Sequence, residues 1–240
     1  MRVASSERRA LVVGAGSGVG LRVAGRLAAA GWHVSGWSRR GTPADVPRPG
    51  PEGSLSFQRV DVRDQGAIAA ALDHDAPRPE VIVYAVAVAR WGTVEAQAPA
   101  EWADMVTTNA VGAFTVLHEY HRRFGAAPRQ LVGIASDAAL FAAAGRSGYH
   151  ASKSALSTFL DSYREEVRHT GSRVTVIYPG KINTGLSPRA PEVNARALQP
   201  DDIADCVLHI LSLPEHVEIR SLEMSSVSLP YGVSARQPPP

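Results

Sequence analysis

The 240 residues include a single cysteine, Cys206. No internal disulfide can form, and a reducing compartment, the cytoplasm, is the expected location. Long hydrophobic runs are also missing. No apolar stretch reaches the roughly 18 residues of a membrane helix, so no membrane partner is expected. Arg8-Arg9 before Ala10-Leu11-Val12-Val13 has the charge order of an export signal, but the glycines from Gly14 onward cut the apolar stretch too short for one. Neither sign of charge dominates: 25 Lys and Arg stand against 23 Asp and Glu, a formal net charge of +2. The basic residues are scattered rather than striped, which argues against nucleic acid. No clustered His, Cys and carboxylate spacing occurs, so no catalytic metal is expected. Scarcest of the charged residues is lysine, with two against 23 arginines.

What is present describes one globular domain spanning 1–240, with 1–8 and 232–240 expected to be flexible. The hydrophobic share of 45% and charged share of 20% are ordinary for a chain that buries a sizeable core. Short β-branched or apolar runs alternate with helical stretches. Strands are expected at Ala10–Val13, His33–Trp37, Leu55–Val60, Val81–Val83, Leu131–Ala135, Val174–Ile177 and Ile219–Met224. Helices are expected from the end of the glycine-rich turn at Gly20 to Ala30, and at Gln65–Asp73, Glu101–Phe124, Gly148–His169 and Asp201–Leu213. Several of the strands read as continuous apolar runs without polar alternation, as in parallel strands covered on both faces. The pattern is that of a doubly wound α/β fold, a Rossmann-type parallel sheet of about seven strands with helices on both faces.

Three stretches carry chemistry. Gly14-Ala15-Gly16-Ser17-Gly18-Val19-Gly20 joins the first strand to a helix, the geometry that sets backbone N–H groups and a helix N-terminus against a pyrophosphate. The second strand runs into Ser38-Arg39-Arg40, with no acid to hold a ribose 2′-hydroxyl and two guanidiniums able to pair with a 2′-phosphate, which points to NADP(H). Asp61, closing the third strand, is a candidate for the adenine edge. Finally, Tyr149 and Lys153 stand four apart, on one face of a helix. An ammonium beside a phenol favours the phenolate, and a tyrosine tuned this way can exchange a proton with an alcohol near neutral pH. In an arginine-rich chain, lysine at this position suggests a need for a compact, tunable charge.

Together these residues resemble the short-chain dehydrogenase/reductase family over nearly the whole chain. Gly14, Gly18 and Gly20 meet its glycine spacing, and Tyr149 and Lys153 its Tyr-x-x-x-Lys pair. Ser136 falls at the position of its catalytic serine, Asn109 at its structural asparagine, and Pro179-Gly180 after the sixth strand. The resemblance implies hydride transfer between NADP(H) and a ketone or aldehyde, with Tyr149 as general acid. Ser136 would help hold the carbonyl oxygen, and Lys153 would also bind the ribose. Asn109 would kink its helix and hold a water that leads from Lys153 to solvent. Gly16, Ser17, Val19, Val62, Ala85, Val86 and Ala87 would line the cofactor, and Ile182 and Thr184 would touch the carboxamide. It also implies a homodimer or homotetramer through the two long helices. The chain departs from the family pattern twice: Val13 replaces a threonine, and Tyr84-Ala85-Val86-Ala87 replaces Asn-Asn-Ala-Gly. One coordinated exchange of a polar contact for packing would explain both.

The small-molecule pocket is expected beyond the strand ends, among Val88, Arg90, Trp91, Ala138, Leu140, Phe141, Leu186 and Arg189. Most of these are apolar or small, which suits a bulky hydrophobic carbonyl compound; the alternative is a small keto acid whose carboxylate is forked by Arg90 or Arg189. Two other readings stay open: an epimerase or dehydratase that reuses the same residues, and a non-catalytic NADP-binding sensor.

Overall fold

The computed structural model describes residues 8–186 and 191–229. Seven strands form one sheet: β1 (Arg9–Val13), β2 (His33–Ser38), β3 (Ser54–Arg59), β4 (Val81–Tyr84), β5 (Gln130–Ile134), β6 (Arg173–Pro179) and β7 (Ser221–Met224). Every pairing is parallel and the order is β3-β2-β1-β4-β5-β6-β7. The chain runs outward from β1 to β3, then returns to pair β4 with the free side of β1. That reversal opens a crevice beyond the carboxyl ends of β1 and β4.

The alternation along each strand explains the unbroken apolar runs. Leu11 and Val13 face one core with Ile82, Tyr84 and Leu131. Ala10 and Val12 face the other with Val81, Val83 and Val132. Helices α2 (Gln65–His74), α4 (Gly112–Phe124) and α5 (Ser147–Val167) cover the first face; α1 (Gly18–Ala29) and α7 (Pro200–Ser212) cover the second. Surface ion pairs add a tie between α1 and α7, where Arg22 grips both oxygens of Asp201 at 2.7 Å. Exposed pairs of this kind contribute at most about 1 kcal/mol; the apolar contact does most of the holding.

The helix expected over Glu101–Phe124 is in fact three segments. An α-helix, α3 (Pro99–Val106), passes into a π-turn over Thr107–Val111 and then into α4. The dihedral angles stay right-handed throughout, with φ of −60° at Thr107 and −57° at Gly112, so the rod continues while its register slips. Asn109 lies inside the slip. A short helix, α6 (Pro191–Arg196), had no counterpart among the expected elements. The segments 1–7 and 232–240 lie outside the described residues, as does Arg189. No helix of the described residues is long and apolar enough to cross a membrane.

Candidate active site

The crevice is a single cleft of about 1220 Å³ running from the β1–α1 turn past the end of β5 to the start of α5. At one end it is shaped by glycines. Gly14 sits at φ 96°, and a β-carbon there would stand 2.8 Å from the Ala85 backbone. A β-carbon on Gly20 would stand 2.3 Å from the Gly14 carbonyl oxygen. Side chains are therefore excluded where α1 begins, and backbone is bared to whatever occupies the cleft. Ser38 bonds the Gly41 carbonyl at 2.9 Å and rests against Gly16. Arg39 and Arg40 are exposed beside it and line the same end.

The opposite wall is built from buried polar groups. Lys153 is 1% exposed, and its ammonium donates to the Ile134 carbonyl at 2.9 Å, with that of Val86 at 3.5 Å. Burial pushes it down from its ordinary value to about 7. One helical turn earlier, Tyr149 is also buried, and the Trp91 ring meets it edge-on at 5.2 Å between centroids. Ser136 caps the turn after β5, accepting from the Ala138 N–H at 3.1 Å and donating to Asp137 at 3.0 Å. Asn109 stands behind the wall. Its side chain accepts from the Val88 N–H at 2.8 Å and donates to the Val88 carbonyl and to Ser152 Oγ, both at 2.9 Å. Ser152 in turn donates to the Tyr149 carbonyl at 2.8 Å. The π-turn is thus joined through two side chains to the helical turn that carries Tyr149 and Lys153.

Most residues singled out from the sequence converge here. Gly14, Gly16, Ser17, Gly18, Val19, Ser38, Arg39, Arg40, Val62, Ala85, Val86 and Ala87 line the cleft, as do Pro179, Gly180, Ile182 and Thr184. Others do not. Asp61 lies outside the lining, with Arg63 at 3.0 and 2.6 Å from its two oxygens. That contact holds its carboxyl below the ordinary range. Gly20 and Asn109 support the cleft from beneath. Arg90 turns back onto the Ala89 carbonyl, and Leu140 is 46% exposed; neither lines the cleft. Val88, Trp91, Ala138, Phe141 and Leu186 do. Asp137, Arg146 and His150 complete that end and make it more polar than expected. Asp137 directly follows Ser136, an adjacency that a reading for serine alone passes over.

The Val13 and Tyr84 departures meet in space. They are register partners on β1 and β4, both buried in the same core. The Tyr84 hydroxyl donates to the Thr108 carbonyl of the π-turn at 2.8 Å. The exchange is therefore packing at Val13 plus a relocated polar contact at Tyr84.

The glycine-bared turn, the cleft's extent and the basic residues at one end fit a nicotinamide dinucleotide. Comparison with known proteins gives the same answer. Serine 3-dehydrogenase of Agrobacterium fabrum (strain C58) is 29% identical over 232 residues, covering 91% of this chain and 93% of that one. The 2,3-dihydro-2,3-dihydroxybenzoate dehydrogenase of Escherichia coli (strain K12) is 26% identical over 245 residues, covering 90% and 95%. Among solved structures, serine dehydrogenase from Escherichia coli superposes with a TM-score of 0.77 at 25% identity over 93% of this chain and 100% of that one. A closed serine dehydrogenase complexed with NADP+ does so at 26% identity, with a TM-score of 0.77 over 93% and 96%. The family model for short chain dehydrogenases matches residues 8–194. With that match covering most of its length, the chain belongs to the short chain dehydrogenase family of oxidoreductases.

Proposed function

We propose that the protein is an NADPH-dependent reductase of ketones or aldehydes, and a secondary-alcohol dehydrogenase in reverse. The observation that carries this reading is the buried Lys153 one helical turn from Tyr149, in a wall that also presents Ser136 to the cleft. The dinucleotide would lie along Gly14–Val19, Ala85–Ala87 and Pro179–Thr184, its 2′-phosphate near Ser38, Arg39 and Arg40. When bound, it supplies the hydride for the carbonyl carbon. Ser136 and Tyr149 hold the carbonyl oxygen, orienting it and stabilising the charge that gathers there. Tyr149 gives its proton to that oxygen. Lys153, placed by burial near the pH at which ammonium and amine interconvert, favours the phenolate left behind and passes a proton back. Asn109 and Ser152 hold the turn bearing both groups. The named relatives support an alcohol substrate: serine in one case, a dihydrodiol in the other.

The reading extends to assembly and location. Val111 and Phe114 on the outer face of the π-turn and α4 are 47% and 54% exposed. Phe114 also stacks edge-on against Phe159 of α5. These apolar residues suit a homodimer or homotetramer built through α4 and α5, and a single cytoplasmic domain accounts for the lone cysteine.

The test is an NADPH fluorescence titration followed by a carbonyl panel, repeated on Tyr149→Phe. Wild type should oxidise NADPH with at least one carbonyl. The variant should bind NADPH normally and lose roughly 100- to 10,000-fold in turnover. A two- or threefold loss would remove Tyr149 from its role, and binding without turnover across the panel would favour a sensor.

A further inference from the structure

One carboxylate in the cleft has no task in the reaction just described. Asp137 opens a short 3₁₀ turn directly after Ser136 and lines the cleft with Ser136, Tyr149 and Gly180. One of its oxygens accepts a hydrogen bond from the Ser136 hydroxyl at 3.0 Å. The other would lie 3.5 Å from a β-carbon placed on Gly180, so the group reaches toward the loop after β6. Ser136 and the backbone of Ala138 supply its hydrogen bonds, while Arg146 and His150 act on it as nearby charges. Burial outweighs these and pushes the carboxyl above its ordinary range. A half-buried acceptor of this kind gains by meeting another donor.

The bond to Ser136 matters because a serine hydroxyl has one proton. Ser136 already accepts from the Ala138 N–H. While its proton is held by Asp137, the hydroxyl faces a carbonyl oxygen with lone pairs rather than with hydrogen. A substrate that brings its own donor to Asp137 relieves the carboxylate and lets Ser136 turn to the reacting oxygen. Ser136 and Asp137 are neighbours in sequence and in hydrogen-bonded contact. The donor must therefore sit on the carbon next to the reacting one, where two heteroatoms in a gauche arrangement have hydrogen-bond spacing.

Building on the reductase reading, we propose that Asp137 selects substrates bearing a hydroxyl or ammonium on the carbon adjacent to the reacting carbinol, and that this donor releases Ser136 for the reacting oxygen. Selection then acts on kcat as well as on KM. The apolar-pocket expectation gives way to a vicinal diol or amino alcohol class.

Three alcohols on one carbon skeleton test this: 2-butanol, 2,3-butanediol and 3-amino-2-butanol, each oxidised with NADP+. Wild type should favour the second or third over the first by roughly tenfold or more in kcat/KM, as expected for a hydrogen bond to a charged group, with the difference shared between KM and kcat. Asp137→Ala should bring the ratio close to one while 2-butanol turnover rises severalfold, because Ser136 then keeps only its long 3.5 Å contact to the Pro179 carbonyl. Asp137→Asn keeps an acceptor without charge; it should retain a hydroxyl preference and lose an ammonium preference, which tells the two donors apart. Equal turnover of all three by wild type, or an equal slowing of all three by both variants, would overturn the proposal. Calorimetric titration of the alcohols into NADPH-saturated protein, where no oxidation proceeds, reads recognition alone. An Asp137-dependent preference there without turnover of any alcohol or carbonyl would sink the reductase reading and uphold Asp137 as the selecting group. Equal affinities would overturn the selection by Asp137 itself.

Discussion

At the β1–α1 turn the cleft is shaped by side chains that are missing, whereas at the end of β5 and the start of α5 it is shaped by polar side chains that are buried. The glycine end works by steric exclusion. A β-carbon on Gly20 would stand 2.3 Å from a backbone oxygen, and nothing there can rotate aside. The polar wall works by desolvation offset with hydrogen bonds: Lys153 is nearly inaccessible and leans on backbone carbonyls. The first end sacrifices little stability for function, since a glycine turn is an ordinary way to close a strand. The second end does sacrifice stability, because an ammonium removed from water is costly even when bonded. Substitutions at the two ends should therefore separate binding from chemistry, and function from stability.

The largest effect is expected from Lys153→Met. Turnover should fall by roughly two to four orders of magnitude, the usual span for groups that serve proton transfer, while the melting temperature at neutral pH holds or rises. The pH dependence sharpens this. Burial lowers Lys153 from 10.5 to about 7, so across that window the folded chain carries fewer protons than the unfolded one. Its stability therefore rises with pH from about 7 to 10.5 and is lost as the pH falls through the same window. Thermal melts at several pH values should show that slope in wild type and a flatter one in the variant. A variant that melts well below wild type at every pH would show Lys153 to be a net structural support.

At the other end, Gly20→Ala should weaken NADPH binding by roughly 100-fold. Displacing that backbone takes at least one N–H away from the pyrophosphate, and a charge-assisted hydrogen bond of this kind is worth about 1.5–3 kcal/mol, up to roughly 100-fold. Fluorescence titration measures it; unchanged affinity would mean that the turn can yield. Arg39→Ala comes next and changes preference rather than binding as a whole. Losing a charge-assisted pair to a phosphate costs about 1.5–3 kcal/mol, so the NADPH-over-NADH ratio should fall roughly ten- to a hundredfold. A ratio unchanged in the variant, or absent in wild type, would remove Arg39 from cofactor choice.

The same contrast decides how much could be read from the sequence. Steric exclusion leaves a mark that reads directly, since glycines at fixed spacing after an apolar run have few other uses. The parallel strands were legible too, because cover on both faces leaves Leu11, Val12 and Val13 with no polar alternation. Hydrogen-bond partners were not legible. Asp61 is held by the guanidinium of Arg63 two residues on, and nothing in that spacing sets the pair apart from an open strand end. The π-turn escaped because its insertion shifts helical periodicity by one residue, and the apolar stripe from Met105 to Val116 reads through it. Arg90 and Leu140 occupy the expected loops, but side-chain direction in a loop has no period to follow.

Tyr84→Phe is expected to be the mildest change, and it tests whether a departure from the family pattern belongs to the polar wall or merely to the core beneath it. The Tyr84 hydroxyl is fully buried and donates to the Thr108 carbonyl, one residue before Asn109. Removing it leaves that carbonyl without this donor at a cost of about 1–2 kcal/mol. For a chain of this length that is a fall of roughly 2–8 °C in melting temperature, at about 2–4 °C per kcal/mol. Little cavity should form, since a β-carbon on Gly112 would already stand 2.7 Å from the Tyr84 oxygen and only that one atom is lost. Asn109 keeps its own bonds to Val88 and Ser152. Turnover should therefore stay within about threefold of wild type, below the roughly 100-fold that marks a proton-transfer role. If melting is unchanged and turnover drops tenfold or more, the register of the π-turn reaches Tyr149 through Asn109 and Ser152, and Tyr84 belongs to the wall.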